Sequence, residues 1–354
     1  SGNVYAAVSS GLNTNSYVAK WNGSTWAVLG SITNGLYRDI LTMITDVSGN
    51  VLVAGRLQNA NGKYYVAKWN GSAWEELGTG ANGLNANLDV LCLTKDNTGN
   101  IYAGGMFYNN TVFKCYVSKW NGTTWAEMGV GANSLNGSSY INSLIADATG
   151  KIYAGGDFGN SLGYKYVSNW DQSSASWVET GVGGIGTLNT SGYAIDATKN
   201  ADSVFAVFNP YANGSSGPSQ VMIWNGSIWK NFGNISASSG LETIARDGLG
   251  YLYTGANFPA IGRLGVGKSN GGAWQNVGNS GTFLNASEIT KIIVDSIGNI
   301  YAIGDFKNSS GKYYVAKWNG SNWLELGTGA NGLNSEDPIR RYQANKALNE
   351  LKID

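Results

Sequence analysis

Residues 64–85 read YYVAKWNGSAWEELGTGANGLN, and residues 313–334 read YYVAKWNGSNWLELGTGANGLN. These near-identical stretches lie toward opposite ends of the chain. Residues 115–136 carry a third copy, CYVSKWNGTTWAEMGVGANSLN. Weaker copies are YVAKWNGSTWAVLG (17–30), YVSNWDQSSASWVETG (166–181), VMIWNGSIWKNFG (221–233) and VGKSNGGAWQNVG (266–278). The unit is marked by Trp21, Trp69, Trp120, Trp170, Trp224, Lys268 and Trp318, at intervals of 44 to 54 residues. Self-similarity at such a period is the mark of a repeat architecture, in which each unit buries its apolar faces against its neighbours.

A second motif precedes each marker except the first. It reads ITDVSGNVLVAG (44–55), TKDNTGNIYAGG (94–105), IADATGKIYAGG (145–156), ARDGLGYLYTG (245–255) and IVDSIGNIYAIG (293–304), with a degraded copy, YAIDATKNADSVFAVF, at 193–208. Each unit parses into four short strands rich in Tyr, Val, Ile and Trp. An Asp-x-x-Gly turn joins the first pair, and a longer polar loop leads to the third strand. Asn-Gly then predicts a two-residue type I′ turn into the fourth. Four strands in 40–50 residues describe a propeller blade. The expected fold is all-β, a seven-bladed β-propeller of four-stranded antiparallel blades. Its blades are placed at 1–37 plus 347–354, 38–87, 88–139, 140–192, 193–240, 241–287 and 288–338, with a connector at 339–346.

The chain opens in mid-unit, since Ser1-Gly2-Asn3-Val4-Tyr5-Ala6 matches the second strand at 48–54. The terminal ALNELKID (347–354) resembles EITKIIVD (288–295). The favoured reading is that the C-terminus supplies the missing first strand and closes the ring. The alternative is that 339–353 forms a helical linker. A start without Met or leader suggests a piece of a longer polypeptide.

Composition narrows the chemistry. Of 354 residues, 51 are glycine, about twice the usual share, and none is histidine. Imidazole-based triads, metal sites and pH switches are therefore absent. Lys plus Arg (23) balances Asp plus Glu (23), which argues against nucleic acid. No apolar run approaches the ~18 residues of a membrane span. Cys92 and Cys115 fall on the first and third strands of one sheet, too far apart to bond, and are expected as free buried thiols.

Three recurring features have a functional and a structural reading. The turn aspartates (Asp46, Asp96, Asp147, Asp247, Asp295) lack the alternating ligands and distal Glu of a calcium loop, so backbone capping is favoured. The tryptophan pairs, such as Trp69 and Trp74, are favoured as packing between blades over sugar-stacking platforms. Turn chemistry likewise explains the five sequons inside W-N-G-[ST] without glycosylation. Tight turns occupy one face, while the polar, variable loops occupy the other, where ligand contact is expected. The candidate residues there are Asp157, Asp305, Tyr64, Tyr313, Tyr164, Asn82, Asn133 and Asn331. Arg56 and Met106 stand at the positions of Asp157 and Asp305 in two blades.

The D-x-x-G-N-[IV]-Y-[AV]-x-G string resembles bacterial SBBP-type and NHL-type propeller repeats. The W-N-G-x-x-W string is similar to kelch-related repeats of large secreted bacterial and phage proteins. The sialidase Asp-box is not matched, and no arginine triad or phosphate loop is present. The resemblance implies binding of glycans or proteins at surfaces, or the spacing of other domains. The expected function is a non-enzymatic extracellular or cell- or virion-surface module that binds carbohydrate without cofactor or metal. Its expected partner is a glycan or a surface protein, with no membrane insertion. The alternative is a structural or protein-binding propeller within a larger assembly, and a glycosidase is the least favoured reading.

Overall fold

The structure, a computed structural model, describes residues 3–8, 16–32, 39–135, 137–160, 167–181, 194–200, 203–208, 219–235, 241, 243–258, 263–278, 289–335 and 351–353. Seven antiparallel sheets stand in a ring: the chain folds as a seven-bladed β-propeller. In blade 2 the strands are Ile40–Thr45, Val51–Gln58, Tyr64–Trp69 and Trp74–Glu76, paired in chain order. The first strand of each blade touches the first strand of the next all the way round, so these strands lie nearest the axis. The closing strand is Leu351–Ile353, which pairs antiparallel with Val4–Ala6. The ring therefore closes as expected from ALNELKID. The connector at 339–346 lies outside the described residues.

The alternating apolar residues make both faces of each sheet dry. Leu52, Ala54, Val66 and Ile101 fill the interface between blades 2 and 3, while Val51, Val53, Tyr65 and Ala67 fill that between blades 1 and 2. Each such interface removes apolar area from water on two sheets at once.

The tryptophans tie these interfaces together. Trp69 and Trp74 face each other across a strand pair at 5.4 Å, and the other intact pairs repeat this at 5.5 to 5.8 Å. The second indole of each pair donates to a carbonyl of the preceding blade. Trp125 bonds Leu77 O at 2.8 Å, Trp177 bonds Met128 O at 2.9 Å and Trp229 bonds Thr180 O at 2.7 Å. Trp323 bonds Val277 O at 2.8 Å, and Trp26 bonds Leu326 O at 2.8 Å across the closure. The first indole packs on the glycine that follows that carbonyl. A Cβ on Gly78 would meet Trp120 at 2.7 Å. The packing reading of the tryptophans therefore holds, and the indole N–H adds a latch that spacing alone did not show.

Three local readings change. The first tryptophan of blade 6 is replaced by Ser269, not Lys268. Ser269 pairs with Leu252 as Trp21 pairs with Val4 and Trp318 with Ile300. Lys268 instead takes the register of Lys317, pairing with Tyr253 as Lys317 pairs with Tyr301, and its ammonium lies over the Tyr251 ring. The W-N-G loop is not a type I′ turn on Asn-Gly. Asn22 N–H bonds Thr25 O, Asn22 Oδ1 accepts from the N–H groups of Ser24 and Thr25, and Gly23 takes φ 103° while Asn22 does not turn positive. The asparagine caps the loop with its side chain, which competes with the primed turn. Cys115, finally, lies outside the third strand of blade 3, Ser118–Trp120. It sits in a hairpin, Tyr108–Asn109 with Lys114–Cys115, that joins the sheet of blade 4 through Gly137. The hairpin thus reaches over the interface to the incoming strand of blade 4. Both thiols are free and buried, and burial pushes Cys92 far up.

The turn aspartates cap their own turns. Asp96 accepts from the N–H groups of Thr98 and Asn100, the Asn100 amide and the Tyr102 hydroxyl. Burial alone would raise its pKa, but hydrogen bonds from Asn100, Tyr102 and Thr98 outweigh it and hold the carboxyl at about 2. The folded value lies below the ordinary ~3.9, so this stabilisation is complete above that value and is lost as pH falls through about 2. Melting temperature should fall between about pH 4 and pH 2, and Asp96→Asn should flatten that dependence. A variant with the wild-type acid slope would assign it to other groups.

Candidate functional site

The loop face is built from two kinds of connection. Hairpins join the second and third strands, and Gly/Asn-rich loops run from the outer strand to the next blade. The two are stitched together. Tyr64 exchanges backbone hydrogen bonds with Ala86 at 2.9 and 3.1 Å, and Tyr313 does so with Ser335 at 2.9 and 3.3 Å. Cys115 and Gly137 pair at the same place in the next blade interface. At these three places the hairpin and the outer loop are therefore joined through the backbone.

Asparagine organises the hairpin turns. Asn59 Oδ1 accepts from the N–H groups of Asn61 and Lys63, and its amide donates to Glu76. Asn308 repeats this with Ser310, Lys312 and Glu325. Asn109 bonds Glu127 at 2.8 Å, and Asn160 bonds Glu179 at 3.3 Å. These glutamates were missed from sequence, although each stands two residues after its tryptophan in a readable W-x-E pattern.

Three outer loops contain a short 3-10 turn, at Gly80–Asn82, Gly131–Asn133 and Gly329–Asn331. Asn82, Asn133 and Asn331 close these turns and are exposed. The later asparagine in G-A-N-G-L-N does a different job. Asn85 and Asn334 adopt φ 49° and 48°, and their amides donate back to Gly80 O and Gly329 O. The later asparagine thus spends its amide on its own loop, while the earlier one closes the 3-10 turn.

The remaining candidates sit deeper. Asp157 and Asp305 are half-buried at the ends of second strands in blades 4 and 7. Asp157 lies near Cys115, whose thiol is pushed up to about 11 by burial and then by that charge. Tyr313 is buried, with Lys307 over its ring at 4.7 Å. It lines an apolar crevice with Ala7, Ile303, Leu333 and Ser335, of about 10 Å³, room for one water and too small for a sugar. Tyr64 is half-buried. Tyr164 lies outside the described residues. The described candidates thus share one face, but they are spread over blades 2, 3, 4 and 7 and do not converge on one pocket.

Where blade 2 carries Arg56 instead of the aspartate, the structure shows an ionic cluster that sequence reading did not find. Arg56 bonds Asp89 at 2.9 Å and Asp39 at 3.2 Å. The two carboxylates precede the first strands of blades 3 and 2, so the guanidinium bridges adjacent blades. Burial would lower the Arg56 pKa, but bonds and charge from Asp89 and Asp39 keep it raised. The triad keeps one net negative charge and bridges the blade interface. Among the described residues, no cluster of three His, Cys, Asp or Glu is arranged to hold a metal ion.

No family model and no curated protein matches the chain. Solved structures do. The chain is similar to the extracellular domain of a hybrid two-component system from B. thetaiotaomicron, with TM-score 0.58 and 13% identity over 88% of this chain and 38% of that one. It is similar to Kuenenia stuttgartiensis hydrazine synthase, with TM-score 0.55 and 11% identity over 81% of this chain and 79% of that one. A third is the GH74 xyloglucanase from Xanthomonas campestris, with TM-score 0.54 and 11% identity over 81% of this chain and 45% of that one. The chain thus spans less than half the length of the first and third. At these identities the likeness shows the propeller fold alone. No helix among the described residues is long and apolar enough to cross a membrane.

Proposed function

We propose that this propeller is a recognition module of the cell exterior that binds carbohydrate through its loop face and catalyses no reaction. The observation that carries this reading is repetition: the same Gly-Ala-Asn turn presents an exposed amide in blades 2, 3 and 7, at Asn82, Asn133 and Asn331. An amide offers both donors and acceptors to sugar hydroxyls. Weak contacts repeated on one frame gain strength through effective concentration. Asp157 and Asp305 supply charged acceptors beneath the loops. They stand in sheets separated by two blades one way round and three the other. A glycosidase needs its carboxyls within about 5–10 Å, so this placement supports binding without hydrolysis.

The purified chain should bind a subset of sugars on a printed glycan array. A blank array at multivalent probe density would sink the proposal.

The second reading, a protein-binding propeller within a larger assembly, is favoured by the opposite face. Val47, Leu249 and Ile297 project from the Asp-x-x-Gly turns beside the ring axis, 61%, 87% and 76% exposed. Large apolar side chains gathered on one face suit a protein contact.

A further inference from the structure

Blade 3 departs from its sisters at the tip of its loop-face hairpin. In blades 2 and 7 the tip turns on glycine. Gly62 and Gly311 donate to the carbonyls of Asn59 and Asn308, three residues back, with φ 69° and 74°. Blade 3 has one residue more. Phe113 N–H donates to Asn109 O, four residues back, at 2.8 Å, and Phe113 takes φ 54°. That backbone region is costly for a bulky residue and free for glycine. Burial does not repay the strain, because Phe113 is 71% exposed. Strain held at an exposed side chain is a mark of function.

The surroundings specify what the ring would meet. Phe113 lies 6.0 Å from Tyr108, with the two rings inclined by 31°. The base of the hairpin is fixed by Asn87, which accepts from Tyr108 N–H at 3.0 Å and donates to Tyr108 O and Asn110 Oδ1, each at 3.0 Å. Asn110 is exposed, and Leu88 and Val112, next in sequence to Asn87 and Phe113, are exposed apolar side chains. An aromatic surface rimmed by amides matches a pyranose, which has an apolar C–H face and a rim of hydroxyls. A flat apolar protein contact would not need the amide rim.

We propose that Phe113 and Tyr108 form a stacking platform for a pyranose ring, whose hydroxyls are read by the exposed Asn110, held in place by Asn87. This rests on the carbohydrate reading of the loop face and gives it a location that none of the eight sequence candidates marks.

The test takes the sugar that binds best on an array of hexopyranoses and N-acetylhexosamines, and titrates it against the intact chain and its variants. Phe113→Gly should weaken binding about tenfold or more while melting at or above the wild-type temperature, because the strain is relieved. Phe113→Trp should retain binding. If Phe113→Gly binds within about twofold of wild type, the platform is wrong and the loop-face reading survives elsewhere. If the wild-type chain binds no sugar on the array, the loop-face reading fails and the platform fails with it.

Discussion

Gly105→Ala is expected to lower the unfolding free energy by about 3 kcal/mol or more. Gly105 ends the second strand of blade 3, where the register with the first strand shifts between Val90 and Cys92. A Cβ there would lie 2.2 Å from Asp89 O and 2.9 Å from Leu91 N. Both are backbone atoms next to the axis, so neither yields without moving the first strand. The same position recurs as Gly156, where a Cβ would lie 2.3 Å from Tyr140 O. Displacing Asp89 would also disturb Met106 N–H, which donates to its carbonyl, and Arg56, which bonds its carboxylate. Gly248→Ala is the control: a Cβ there meets nothing within 4 Å, and its effect should stay within about 0.5 kcal/mol. Urea denaturation of both variants checks this. A Gly105→Ala midpoint equal to wild type would show that the bulge relaxes.

Trp125→Ala should cost about 3–5 kcal/mol, since the ring is 8% exposed between blades 2 and 3. The more informative change is Trp125→Phe. It keeps most of the apolar contact but removes the N–H that donates to Leu77 O at 2.8 Å, and it should cost about 1–2 kcal/mol. Trp274 provides the contrast. Its indole nitrogen is buried and finds no acceptor among the described residues. Trp274→Phe removes an unsatisfied donor, so it should be neutral or stabilising. Equal losses in the two Trp→Phe variants would mean that ring size, not the latch, holds the blades.

The difference between Trp125 and Trp274 also shows where reading by repeat stops. Both stand five residues after their marker position and look alike in sequence. In blade 6 that marker is Ser269, whose hydroxyl donates to Gly272 O. The neighbouring indole has lost its stacking partner, and its N–H, though packed beside Gly233 of the preceding blade, finds no acceptor among the described residues. Phe113 makes the same point for the site. It lies in a variable loop, and only the left-handed φ and the exposure distinguish it from a core aromatic. The exposed Asn82 and the self-bonded Asn85 are likewise three residues apart in one motif, and only the turn geometry separates their roles.

The sequence by itself determined the number of blades and the four-strand parse, and it favoured the closing strand and the packing role of the tryptophans, which the structure then decided. It could do so because these depend on local periodicity and on a unit copied seven times. The low charge and absent histidine also bounded the chemistry before any coordinate. What the tertiary structure decided lies between units: the indole latches, the Arg56 bridge, the hairpin of Cys115 crossing to blade 4, and which loop side chains face outward. These depend on contacts between residues far apart in the chain. The repeat sets such contacts only where neighbouring blades are alike, and each substitution between copies redraws them.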